Sequence, residues 1–242
     1  MKRRIALTLI VAAAVLPTAC RQPASPAAVA EPAQDGWVMP PIIDAVTPSQ
    51  AGLIVRGQAA PSGRVVVRAA EGPAYAAGAD ADGRFELRIP RPRMDALFIV
   101  EARSGQVGYP APYRLLVAAD PAGPIGLLTI GAPTRRLDVA GGLDAIDSDG
   151  QSAFLSGRTE AGSVVEIEAG VPRTVTAGPD GRWSVSRPGN GASPVAVEGV
   201  VSTPPAGRST ADDMLERVVD GWRISWSTPG GGRQTTWFPD RR

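Results

Sequence analysis

Three aspartates, Asp144, Asp147 and Asp149, stand within the run LDAIDSDGQS and form the densest group of potential metal or acid–base ligands in the chain. Oxygen-rich clusters of this kind hold Ca2+. The spacing does not match the loop of a helix–loop–helix calcium site, because Ala145 falls on its first ligand position. The same three residues also read as an ordinary solvated turn, and no metal is expected. A pair of carboxylates serves glycoside hydrolysis when both flank one bond, but nothing in the sequence places two of them in one cleft. Other chemistries are short of reagents. The chain has no histidine, its only lysine is Lys2 and its only cysteine is Cys20. Histidine triads, histidine metal sites and Schiff-base lysines are therefore excluded from the body of the protein. No nucleophile elbow, phosphate loop or dinucleotide fingerprint occurs. The expectation is a protein that is not an enzyme and carries no cofactor.

Cys20 has a different explanation. Lys2, Arg3 and Arg4 precede an apolar run of 12 residues, Ile5 to Leu16. A membrane-spanning helix needs about 20, so this is the core of a signal peptide. The following Leu16-Pro17-Thr18-Ala19-Cys20 resembles the cleavage site of bacterial lipoproteins, with Ala19 and Cys20 on pattern and Pro17 off it. The resemblance implies a signal over 1–20, a lipid on Cys20 and a membrane anchor. Arg21, where an aspartate would retain the protein at the inner membrane, implies the outer membrane, facing the periplasm or the cell surface. Cleavage at Ala28-Val29-Ala30 would instead release a free periplasmic protein. A lone cysteine in an exported chain is paired, reactive or modified, and lipidation accounts for it. Loss of the signal leaves 22 arginines against 24 acidic residues, so no basic footprint for nucleic acid remains. Residues 21–36, RQPASPAAVAEPAQDG, lack periodicity and read as a tether.

The rest of the chain is built for strands. DGRFEL (Asp82 to Leu87) returns 98 residues later as DGRWSV (Asp180 to Val185). Asp-Gly suits a tight turn. Phe85, Leu87 and Ile89 then alternate with charged residues, as Trp183 and Val185 alternate with Arg182 and Ser184. Upstream, Leu53 to Ala69 matches Ala153 to Ala169, with Gly57 opposite Gly157 and Gly63 opposite Gly162. Downstream, Phe98 to Ala102 matches Val195 to Gly199. A period near 100 is too long for a solenoid and suits two tandem sandwiches. The pattern resembles the bacterial Ig-like modules of envelope and adhesion proteins. The expected fold is all-β: domain 1 over 37–120, domain 2 over 121–205 and a C-terminal segment over 206–242. The first strand of domain 2 is either Gly126 to Ile130 or Arg136 to Val139, and each domain is expected to unfold by itself.

The tail holds three of the five tryptophans. Residues 221–238 read as a hairpin in which Trp222, Ile224 and Trp226 alternate before a Pro-Gly turn and Trp237 returns. A two-stranded hairpin does not stand alone in water, so the rings are expected to pack on domain 2 as its closing strands. The alternative is an exposed platform of Trp222, Trp226 and Trp237 for a glycan or a protein. Residues 211–219 fit a helix or a strand. The functional expectation is an anchored spacer or binding module of the cell envelope. Its partners would be the membrane, through Cys20, and an envelope protein or glycan. Carbohydrate or peptidoglycan binding is the alternative, and a glycoside-active enzyme the remote one.

Overall fold

The computed structural model describes residues 39–138, 141–207, 212–228 and 231–240. The chain divides between Gly36 and Trp37 into two units. The expected signal, Cys20 and the tether lie outside the described residues.

Every described element is a strand or an isolated bridge. The first half contains β1 (Ile42–Ser49), β2 (Gly52–Gln58), β3 (Arg64–Arg68), β4 (Ala74–Gly78), β5 (Arg84–Ile89), β6 (Ala96–Ser104), β7 (Val107–Val117), β8 (Ile125–Thr129) and β9 (Arg135–Arg136). The second contains β10 (Leu143–Ser148), β11 (Ser152–Arg158), β12 (Val164–Ala169), β13 (Val171–Thr176), β14 (Arg182–Pro188), β15 (Val195–Val197), β16 (Val200–Ser202), β17 (Leu215–Val218), β18 (Gly221–Ser227) and β19 (Arg233–Pro239). They form four antiparallel sheets. Sheet A has the order β1-β2-β5 and sheet B the order β4-β3-β6-β7-β8-β9. Sheet C has the order β14-β11-β10-β19-β18-β17 and sheet D the order β13-β12-β15-β16.

The repeat is visible strand by strand. β1-β2-β5 corresponds to β10-β11-β14, and β4-β3-β6-β7 to β13-β12-β15-β16. In each copy the first hairpin carries an irregularity at one aspartate, between Ile43 and Ala45 and between Leu143 and Ala145. Phe85 lies opposite Gly57, and Trp183 opposite Gly157. The glycines leave the space in which those rings lie: a Cβ on Gly57 would sit 2.9 Å from the Phe85 ring, and one on Gly157 2.4 Å from the Trp183 ring. That is why an aromatic residue and a glycine recur together at this spacing. The turn after the glycine is equally long in both copies. Gly63 and Ser163 make equivalent backbone bonds, to Ala60 and Glu160 respectively. The left-handed residue is Ser62 in one copy and Gly162 in the other. The difference in length lies in the next hairpin, Ala69–Pro73 against Gly170 alone.

Three apolar layers separate the four sheets. Sheets A and B enclose Val55, Val67, Phe85, Val100, Leu115 and Leu127. Sheets C and D enclose Ile146, Leu155, Ile167, Trp183, Val197 and Trp237. A third layer joins the halves, with Leu97, Leu116 and Leu128 of sheet B against Ala145, Ile224, Trp226 and Phe238 of sheet C. Strands β8 and β10 are consequently buried on both faces, and every residue of β10 is buried. Burial on both faces explains why β8 reads as a continuous apolar run.

Two sequence expectations shift. Neither Gly126–Ile130 nor Arg136–Val139 opens the second half. β8 pairs with β7 and β9 with β8, and the first core draws on Ile125 and Leu127. The first half therefore runs past the expected boundary at 120, and the second opens at Leu143. The tail does join the second half, because β19 pairs with β10 and residues 215–218 form a strand rather than a helix. Its rings, however, divide between faces. Only Trp237 points into the second core, whereas Trp222, Ile224 and Trp226 turn toward sheet B.

Candidate functional site

The polar residues singled out in the sequence gather mainly in the seam between sheets B and C. β10 carries Asp147 into it. The Asp147 carboxylate is completely buried. It accepts bonds from the Thr134 backbone N–H at 2.7 Å, the Thr134 hydroxyl at 2.6 Å, the Thr236 hydroxyl at 2.6 Å and the Gln234 amide at 3.4 Å. These donors come from the β8–β9 connection and from β19. Gln234 also donates to the Thr129 carbonyl and accepts from Gly131 N–H. Burial pushes the Asp147 carboxyl above the ordinary carboxylate range, and the Thr134, Thr236 and Gln234 bonds offset part of that shift.

Asp144 occupies a second site further along the seam. Arg158 grips it with Nε at 2.8 Å and Nη2 at 3.0 Å, in the two-pronged geometry that suits a carboxylate. Arg182 stands 3.7 Å away. Burial again raises the carboxyl, against the pull of Arg158 and Arg182. Near Asp144 lies Arg136, among the largest fully buried side chains. It pairs with Asp138 at 2.9 Å, donates to the Pro239 carbonyl at 2.6 Å and sits 5.7 Å from the centre of the Phe238 ring. Burial lowers the Arg182 guanidinium, and the neighbouring Arg135 and Arg158 lower it further.

Asp149 does not join the other two. It is exposed, and it caps its own turn through the backbone N–H groups of Gln151 and Ser152, both at 2.8 Å, which hold its carboxyl below the ordinary range. The solvated-turn reading thus describes Asp149, while Asp144 and Asp147 are interior groups with separate partners. Among the described residues no three acidic, histidine or cysteine side chains converge as a metal set. The arrangement of Asp144 and Asp147 ties strands together: each carboxylate is enclosed by its own donors.

The three tryptophans do not make a solvent-facing platform. Trp226 is 1% exposed and Trp237 3%. Trp222 is half-buried, with the Arg217 guanidinium 5.2 Å from its ring centre. The indole N–H groups of Trp226 and Trp237 find no acceptor, so both rings are held by packing.

A concave feature lies elsewhere, where sheet C is wider than sheet D. Sheet C has six strands and sheet D four. Residues of β10, β18 and β19 come together there with Asn190–Ala192 and with Pro204, Pro205 and Gly207. They leave a cavity of about 270 Å³ above Ile146 and Trp237.

Sequence reasoning missed Thr134, Arg136, Asp138, Arg158, Arg182, Gln234 and Thr236. In an alternating strand, charged residues read as outward-facing. Only the covering of that outward face by a second sheet turns them into interior groups. No protein-family model matches the chain, and no curated protein matches it at a significant level.

Proposed function

We propose that this chain is a lipid-anchored, non-enzymatic protein of the cell envelope that acts as a spacer and binding module, built from two Ig-like sandwiches. The observation that carries the spacer reading is the third apolar layer. It joins sheet B to sheet C, so the two halves form one continuous four-sheet stack rather than two beads on a hinge. Inter-domain motion is the default where an interface is small and polar. Here an apolar layer and the Asp147 and Arg136 networks both oppose it. Anchoring rests on Leu16-Pro17-Thr18-Ala19-Cys20 and on the 16 residues of 21–36 that separate the cysteine from the folded unit. The alternative through an exposed tryptophan row loses its support, because Trp226 and Trp237 are buried and point to opposite faces of sheet C.

The test is metabolic labelling with a fatty-acid analogue in the native host. The wild-type chain incorporates the label and fractionates with membranes. Cys20→Ala stays unlabelled and is released or accumulates unprocessed. A wild-type chain that never takes up the label contradicts the anchor.

A further inference from the structure

We propose that the cavity against sheet C binds one or two uncharged pyranose rings. This gives the binding half of the function above a place and a ligand class, and rests on it.

The extra width of sheet C arises from the tail. In the first half the last strands, β8 and β9, extend sheet B; in the second half β17, β18 and β19 extend sheet C. Sheet D is not widened to match. The register pairs Arg223 with Trp237, Ser225 with Thr235 and Ser227 with Arg233. Directly paired residues share a face, so the face that Trp237 presents to the second core continues outward as a polar shelf carrying Arg223, Thr235 and Arg233. A globular sheet with nothing above it would leave such a shelf open to water. Here the Pro204–Gly207 strap crosses it, held by Arg223 Nη1, which donates to the carbonyls of Ala206 and Gly207 at 3.1 Å each. The strap and the Asn190–Ala192 loop convert the shelf into a walled cavity of about 270 Å³.

Its chemistry is divided in the way a sugar is. The floor and roof are apolar, from Ile146, Trp237, Pro204 and Pro205. The sides carry hydrogen-bonding groups with capacity left over. Arg223 uses Nε on Glu216 and Nη1 on the strap, and among the described residues its Nη2 donors have no partner. Asn190 spends its carbonyl oxygen on Ala192 N–H at 3.1 Å, and among the described residues its amide donors have no partner. Asp149 supplies carboxylate oxygens at the rim.

The charges decide against an anion. Arg223 is paired with Glu216 and Arg233 with Asp212, and Asp149 adds a negative charge. Among the described residues, these two pairs and Asp149 together carry no net positive charge, while the donors stay directed. A pyranose has an apolar C–H face for the floor, hydroxyl oxygens for the donors and hydroxyl protons for Asp149.

The experiment uses the full-length chain in detergent, with ligand-observed saturation-transfer NMR and titration calorimetry. The probes are an N-acetylglucosamine disaccharide, maltose and inorganic phosphate. At least one saccharide should bind and phosphate should not. Asn190→Ala and Arg233→Gln should each weaken that binding roughly 3–10-fold, the worth of one or two hydrogen bonds, with an unchanged melting temperature. Asn190 is exposed, so its loss leaves the core intact. Binding of phosphate alone, no binding by either saccharide, or saccharide binding that both variants leave unchanged each overturns the proposal. Failure here leaves the anchored-spacer reading standing, since fatty-acid labelling of Cys20 tests that separately.

Discussion

The outer face of sheet A and the same face of sheet C are built on one register and meet opposite surroundings. Residues of β1 and β2 correspond to residues of β10 and β11 exactly one hundred positions later. Asp44 stands where Asp144 stands, and Gln58 where Arg158 stands. In sheet A this pair is an exposed contact at 3.4 Å. In sheet C it is an enclosed, two-pronged ion pair. Thr47 occupies the place of Asp147, and exposed Arg56, bridged to Glu86 at 2.9 Å, the place of Ser156. Ser156 is buried and donates to the Thr134 carbonyl at 2.9 Å. The strand pattern is the same, but one face carries a solvated charge ladder and the other a desolvated network. Cover, supplied by sheet B with its strands β8 and β9, decides which.

The largest difference between the faces should appear at position 47 against 147. Asp147→Ala removes the acceptor of three close donors in the interior and should cost at least about 2 kcal/mol, since each orphaned buried group carries a penalty of its own. Thr47→Ala, on the uncovered face, should stay within about 0.5 kcal/mol. Denaturant unfolding measures both. Equal costs would mean that the seam holds no more energy than the free face.

A smaller effect should appear in the pH dependence. Asp144 and Asp147 titrate in the folded state above 3.8, raised in both cases first by burial. A carboxyl raised on folding binds its proton more tightly in the folded chain. Its contribution to stability is therefore unfavourable at neutral pH, improves as pH falls through the raised value and is complete below 3.8. Exposed Asp149, lowered by the backbone bonds of Ser152 and Gln151, acts in the opposite sense, losing its contribution as pH falls through its folded value. Asp147→Asn should flatten the acid-side gain. A profile unchanged by Asp147→Asn would show that the carboxyl is not desolvated in solution.

The sequence made the strands legible because alternation and turn chemistry are local. Phe85, Leu87 and Ile89 are buried as their spacing requires, and the Asp-Gly turns repeat as expected. The all-β fold followed from the same signals, whereas Trp222, Ile224 and Trp226, expected to face the second core, turn to sheet B. What stayed hidden depends on which sheet covers which. Leu116 and Leu128 look like any half-buried strand residues until sheet C is laid on them. Arg136 looks solvated until Phe238 and Pro239 enclose it. The shelf under the strap is a difference in width between two sheets, and no single strand carries it.

Differential scanning calorimetry of the wild-type chain tests the central claim, that the seam makes the two halves one cooperative body. Two independent sandwiches would melt separately, as the repeat alone suggests. The account predicts a single transition whose calorimetric and van't Hoff enthalpies agree, the signature of all-or-none unfolding. Two resolved transitions, or a calorimetric enthalpy about twice the van't Hoff value, would contradict it.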